Sequence, residues 1–277
     1  MSKAWFITGA GRGFGREFTK AALDRGDRVA ATVRNTDALD DLLTQYGDAL
    51  LPLQLDVTDR DSVFQAVADA KAKFGTLDVV VNNAGYGLFG PVEEITVEQL
   101  RDQFEVNLFG VLHVTQAVLP ILREQGSGHI VQISTIGGIA AFPYLGGYHA
   151  SKWALEGLTE SLAQEVAPFG IKVTLVEPGG YATDWSGSSA VHTTPQPQYD
   201  GLREAFAEQQ KHTPASYIGD PVAVGPALLK VVDAEQPPLR IFFGTAPLPL
   251  VSGLYEQRLA TWNEWEKVSA EAQGHRE

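Results

Sequence analysis

Residues 8–15 of this 277-residue chain read Thr-Gly-Ala-Gly-Arg-Gly-Phe-Gly, directly after the apolar run Ala4-Trp5-Phe6-Ile7. A strand that empties into alternating glycines and then into helical apolar spacing (Phe14, Phe18, Ala21, Ala22) presents bare backbone N–H groups at a helix N-terminus. The glycines permit a tight turn and close approach, and the helix end adds partial positive charge, so the segment suits a pyrophosphate. The spacing is T-G-x-x-x-G-x-G, with Gly9, Gly13 and Gly15 as its fixed points; G-x-G-x-x-G fits from neither Gly9 nor Gly11. Such a turn also serves as a plain strand-to-helix connection, so its neighbours have to decide.

Apolar runs of strand length recur at about residues 4–8, 28–33, 50–55, 77–82, 129–133, 172–177 and 240–243. Between them lie stretches of helical periodicity at 14–25, 36–46, 59–73, 96–125, 150–168 and 220–233. The strand runs are continuous rather than alternating, as when helices cover both faces of a parallel sheet. Thr58-Asp59 and Thr96 with Glu98 are helix starts, and Gly26 and Gly75 are helix stops,. The pattern predicts an α/β fold, a Rossmann-type doubly wound parallel sheet of about seven strands. No linker-like stretch interrupts the alternation before about residue 180, so residues 1–277 are expected to form a single domain,. In such a sheet the ligand crevice lies at the carboxyl ends of the strands.

The net charge of −13 opposes phosphate-rich partners, so neither nucleic acid nor an anionic membrane is expected,. There is no cysteine, which excludes disulfides, thiolate metal sites and thiol nucleophiles,. The six histidines lack metal-ligand spacing, and no metal is predicted,. With no leader and no apolar run of spanning length apparent, a soluble cytoplasmic protein is expected.

Further motifs close the predicted strands. Asn82-Asn83-Ala84-Gly85 follows Leu77 to Val81, and Ser134 follows Ile130 to Ile133. Tyr148 and Lys152 form Tyr-x-x-x-Lys, and Pro178-Gly179 ends the run from Val173. In this order the chain resembles the classical short-chain dehydrogenase/reductase family over its first two thirds. The resemblance implies a Rossmann fold, a nicotinamide cofactor, and interconversion of a ketone or aldehyde with an alcohol. Tyr148 would be the general acid/base, Lys152 would hold the nicotinamide ribose, Ser134 would hydrogen-bond the substrate oxygen, and Asn107 would anchor a water in the proton relay. The chemistry agrees with the residue types: a phenol near pKa 10 needs a nearby cation, and Lys152 lies one helical turn from Tyr148. Thr135 offers a second hydroxyl, but its strand-end position and the resemblance favour Ser134. His149 points to a different side of the helix and is expected to be structural.

By the same resemblance, the cofactor would contact Gly9, Arg12, Gly13, Phe14, Gly15, Asn83, Ala84, Gly85, Pro178 and Gly179, with Asp56-Val57 at the adenine and Thr183 at the carboxamide. The second strand ends in Arg34-Asn35, without the carboxylate that would bond the ribose 2′-OH of NAD,. Arg34 and Arg12 therefore favour NADP(H) over NAD(H). Residues 180–218 break the strand–helix rhythm and are expected to form a substrate lid, with Tyr181, Trp185, Tyr199 and Phe206 over the nicotinamide,. Arg203 and Lys211, its cations, are expected to be solvated, so the substrate should be uncharged and largely apolar. The tail from about 253 to 270, with Leu254, Leu259, Trp262 and Trp265, reads as a helix for core packing or a subunit contact. A homodimer or homotetramer is expected, with helices 96–125 and 150–168 at the interface. Two other readings stand beside this one: a related epimerase or dehydratase, disfavoured by its different glycine spacing, and a sensor of NADP redox state without turnover.

Overall fold

In the computed structural model, which describes residues 2–187 and 189–274, the chain forms a parallel sheet of seven strands. In chain order the strands are β1 (Ala4–Thr8), β2 (Arg28–Val33), β3 (Leu50–Gln54), β4 (Val79–Asn82), β5 (Leu88–Phe89), β6 (Gly128–Ile133), β7 (Ile171–Pro178), β8 (Val191–His192) and β9 (Arg240–Phe243). The main sheet runs β3-β2-β1-β4-β6-β7-β9, and β5 and β8 form a separate parallel pair. The helices are α1 (Gly13–Asp24), α2 (Asp40–Tyr46), α3 (Arg60–Phe74), α4 (Val97–Phe104), α5 (Gly110–Gln125), α6 (Gly146–Val166), α7 (Asp200–His212), α8 (Val224–Asp233), α9 (Pro247–Glu264) and α10 (Glu266–Gln273).

Successive strand residues face opposite sides, and both sides are dry. On β1, Trp5 and Ile7 join a core with Phe18 of α1, Leu42 of α2 and Leu228 of α8. Phe6 joins the opposite core with Val67 of α3, Val118 of α5 and Leu162 of α6. The order of the strands reverses between β1 and β4, so their carboxyl ends open onto one crevice,.

The expected helix signals act as read. Asp59 accepts from the N–H groups of Asp61 (3.1 Å) and Ser62 (3.2 Å), and Thr96 and Gln99 form a reciprocal capping box,. Gly75 ends α3 at φ +76°,. Helix α6 begins four residues earlier than the periodicity indicated, which puts Tyr148 in its first turn. The helix expected over 96–125 is interrupted by a π-helical turn at Glu105–Phe109,.

Two expectations need correction. The 29-residue helical stretch Val97–Gln125 is long and apolar enough to cross a membrane by composition, contrary to the hydropathy reading; in the fold, Val111, Val114, Val118 and Leu122 are instead buried in the core. In the tail, Leu259, Trp262 and Trp265 face outward, which removes core packing for them and leaves the subunit contact as the other expected role, while Pro247 and Val251 are the residues that α9 buries.

Candidate active site

The turn after β1 is built for close approach. Gly9 has φ +67° and Gly13 φ +53°, where side chains are strained,. A Cβ on Gly15 would lie 2.3 Å from the Gly9 carbonyl oxygen, so α1 starts tight against the turn. A Cβ on Gly13 would meet nothing within 4 Å, so the turn faces open space there. The end of β4 braces this cradle. Asn83 Nδ2 donates to the carbonyls of Thr8 (3.0 Å) and Gly9 (3.1 Å), and the N–H groups of Asn83 and Ala84 both donate to Thr8 Oγ1 at 3.0 Å. The cradle and helix end fit a diphosphate.

The other cofactor candidates surround the crevice. Arg34 leaves the end of β2 exposed to solvent. Past β3, Asp56 Oδ1 accepts from Thr58 N at 3.0 Å, and the buried Val57 offers its carbonyl to His113 Nδ1 at 3.1 Å. Phe14 packs edge-on against Tyr181, ring centroids 4.8 Å apart. Gly85 lies under the Asn107 amide, Oδ1 only 3.0 Å from where a Cβ would stand. At the end of β7, Gly179 N donates to Phe243 O at 2.9 Å. Thr183 precedes a short 3₁₀ turn, Asp184–Ser186, and Arg12 reaches across to Asp184 at 3.4 Å.

Tyr148 and Lys152 project from the same face of α6, and both are buried. Burial pushes the Tyr148 phenol well above its ordinary value, and a hydrogen bond with the Thr135 hydroxyl pulls the other way. Thr135 Oγ1 also accepts from Gly137 N at 3.2 Å, which leaves its proton for the phenol oxygen. Lys152 Nζ donates to the Ile133 carbonyl at 2.8 Å; burial brings the ammonium down to about 8, opposed by the charge of Glu156. Ser134 does not face Tyr148. Its hydroxyl donates to Glu156 Oε1 at 2.5 Å, while its N–H continues the ladder to Val176 O. Adjacent residues on an extended chain point to opposite sides, and the side toward the phenol belongs to Thr135.

Asn107 is fully buried within the π-helical turn. Its Oδ1 accepts from Tyr86 N, and its Nδ2 donates to Tyr86 O and Ser151 Oγ, all at 3.1 Å. The amide thus ties the β4 exit to α6. His149 lies in the next position, its Nδ1 accepting from Phe142 N at 3.3 Å, in the structural role expected of it.

The family model for the short chain dehydrogenases matches residues 3–192. The chain belongs to the short-chain dehydrogenase family. It is 44% identical over 270 residues to an oxidoreductase, BOA17, of Botryotinia fuckeliana, covering 97% of this chain and 98% of that one. A solved short-chain dehydrogenase from Streptomyces avermitilis superposes with a TM-score of 0.91 at 41% identity, covering 98% of both chains. Another, from Burkholderia cenocepacia in complex with NADP, gives 0.75 at 27% identity, covering 95% of this chain and 97% of that one.

In this short-chain dehydrogenase the segment expected to form a lid has secondary structure of its own among the described residues. It contains the turn at Asp184–Ser186, strand β8 paired with β5, and helix α7. Trp185 covers the phenol, its ring 4.9 Å from that of Tyr148 and 5.1 Å from that of Phe89. Phe206 packs against Tyr144 at 4.9 Å. Tyr181 and Tyr199 are spent elsewhere, on Phe14 and on a hydrogen bond to Glu93. Arg203 is not solvated as expected: it pairs with the buried Glu94 (2.7 Å) and with Asp200 (2.7 Å), while Lys211 stays exposed beside Glu208.

Glu156, Phe89 and Tyr144 are candidate site residues that sequence reasoning missed, while Thr135 is the hydroxyl it weighed and set behind Ser134. Only Glu156 carries a signal: it lies one turn beyond Lys152 on the face that holds Tyr148. Phe89 and Tyr144 are brought in by long-range packing.

Proposed function

We propose that the protein is an NADP(H)-dependent oxidoreductase that interconverts a ketone or aldehyde and an alcohol by hydride transfer, on an uncharged, largely apolar substrate. The observation that carries this reading is the buried Tyr148 phenol, held between the Thr135 hydroxyl and the Trp185 ring, one turn from Lys152. The nicotinamide supplies or accepts the hydride. Tyr148, kept protonated by its burial, donates a proton to the carbonyl oxygen in reduction and takes it back in oxidation,. Thr135 hydrogen-bonds the same oxygen and stabilises charge developing there, the role first expected of Ser134. The Lys152 cation lowers the cost of the phenolate, and Asn107 holds the β4 exit against the helix that carries both residues.

The cradle of Gly9, Gly13 and Gly15 would hold the diphosphate, with Arg34 at the 2′-phosphate and Asp56-Val57 at the adenine. Arg12 would assist Arg34 on leaving Asp184. The aromatic surround of Phe89, Tyr144, Trp185 and Phe206 supports an apolar substrate, since of the segment's two cations Arg203 is committed to Glu94 and Lys211 pairs with Glu208. Exposed Phe109, in the π-helical turn that leads into α5, and Trp153 and Leu158 of α6 support a homodimer or homotetramer through these two helical stretches, and cytoplasmic residence is proposed with it. Ketone-dependent oxidation of NADPH tests the reading. Tyr148→Phe is expected to lose about a hundredfold or more in kcat while still binding NADPH, and unchanged kcat in this variant would refute it.

A further inference from the structure

Behind Tyr148 and Lys152, helix α6 buries a third ionisable side chain that the mechanism above does not use. Glu156 is 4% exposed and sits on the face that carries Tyr148 and Lys152. Its Oε1 accepts from Ser134 Oγ, and its Oε2 lies 3.0 Å from Arg240 Nε. Two glycines make way for this arrangement. A Cβ on Gly138 would lie 2.6 Å from Ser134 Oγ and 2.9 Å from Glu156 Oε1, and one on Gly137 would lie 2.5 Å from the His149 ring. The Ser134 that orients Glu156 follows the Ile133 carbonyl that holds Lys152 and precedes the Thr135 that bonds Tyr148.

We propose that Glu156 is a positioning residue of the reaction: its buried carboxylate keeps Lys152 charged and, through Ser134, fixes the strand end that carries Ile133 and Thr135. The groups around it settle where the negative charge resides. On α6 it faces Lys152 and Glu160; β7 brings Glu177, β9 brings Arg240 and α9 brings Tyr255, and these three line a cavity of about 540 Å³ with Glu156 and Glu160. The exit of β6 contributes only the hydroxyls of Ser134 and Thr135. Glu177 is 1% exposed, and its Oε1 lies 3.4 Å from Arg240 Nε without a hydrogen bond. Its burial and the Glu156 charge push it up to about 8, so it holds a proton at neutral pH. Burial raises the Glu156 carboxyl too, but unlike Glu177 it has the Ser134 bond, the Arg240 bond and the nearby ammonium pulling the other way, which favours the charge at Glu156.

The role rests on the reading of Tyr148 and Lys152 as the reacting pair, so the test includes a readout that needs no turnover. Lysine labelled with ¹³C at Cε, with Lys152 assigned through Lys152→Arg, reports its titration by NMR. Glu156→Gln keeps the shape and the Ser134 partner but removes the charge. It is expected to move the Lys152 titration down by about one unit, with the alkaline limb of alcohol oxidation moving with it. Glu177 can replace the lost charge by releasing its proton, so the double variant Glu156→Gln/Glu177→Gln is expected to move at least as far. Glu156→Asp keeps the charge and is expected to stay within about half a unit of wild type. Wild-type titration of Lys152 in the folded double variant overturns the proposal, and so does an Asp variant a full unit low. A fall in kcat with the Lys152 titration and the pH limb unmoved also overturns it, leaving Glu156 a purely structural residue. Loss of all ketone reduction by wild type would defeat the functional reading and leave the NMR result standing.

Discussion

The Trp185 indole lies against the Tyr148 phenol, ring centroids 4.9 Å apart and planes at 56°. A substrate carbonyl reaching the phenol must therefore pass under or displace an aromatic ring from the lid. The contact has direct consequences for specificity, because removing apolar area from water contributes about 25 cal/mol per Å². Trp185→Ala is expected to lower kcat/KM for a ring-containing ketone by about tenfold or more and to change a short aliphatic ketone much less. In the wild type the ring-containing ketone should be preferred over a short keto acid. Preference for the keto acid would remove the lid argument and leave the assignment of Tyr148 intact.

Thr135 and Ser134 make opposite predictions. Thr135→Val keeps the volume but loses the hydroxyl at the phenol, and kcat is expected to fall by about a hundredfold or more. Ser134→Ala, which frees Glu156 and loosens one tether of the strand end while leaving the Thr135 hydroxyl in place, is expected to keep kcat within about tenfold of wild type,. Steady-state rates of the two variants decide the matter; the reverse ranking would return the substrate contact to Ser134.

Arg34 stands exposed at the end of β2, where no carboxylate competes for the ribose. A charge-assisted contact to a 2′-phosphate contributes roughly 1.5–3 kcal/mol. Arg34→Asp is expected to reduce kcat/KM for NADPH by about tenfold to a hundredfold, with little effect on NADH. Equal use of both cofactors by wild type would count against Arg34.

His129 and His149 predict an acid limit to stability. Both are buried, and burial pushes each from 6.5 down to about 4, with Lys172 and Lys3 adding to the effect at His129. The unfolded chain binds more protons here between those values, so this contribution is complete above pH 6.5 and is lost as pH falls toward 4. His129 Nε2 meets Thr174 Oγ1 at 2.9 Å, which Gln at 129 can preserve. From pH 7 to pH 5, wild type is expected to lose up to about 2 kcal/mol relative to His129→Gln. Urea unfolding at the two pH values measures it. A difference independent of pH would mean that His129 titrates alike in the folded and unfolded chain, and that burial does not shift it.

The sequence alone determined the sheet, the cradle and the Tyr148–Lys152 pair, because each depends on local chemistry. Continuous apolar runs can be buried only between two helical layers, as β1 shows with Trp5 and Phe6 in opposite cores. Gly9 and Gly13 are demanded by positive φ, and Tyr148 and Lys152 share a face by helical period alone. Tertiary structure decided which of two adjacent hydroxyls meets the phenol, since a strand end shows its two sides only once α6 is docked against it. It also decided that Arg203 is tied to Glu94, 109 residues away in sequence, and that Trp185 rather than Tyr199 covers Tyr148. No local pattern encodes these contacts. They depend on segments brought together by β5–β8 pairing and by the packing of α7, and the same residue types would fit a solvated loop equally well.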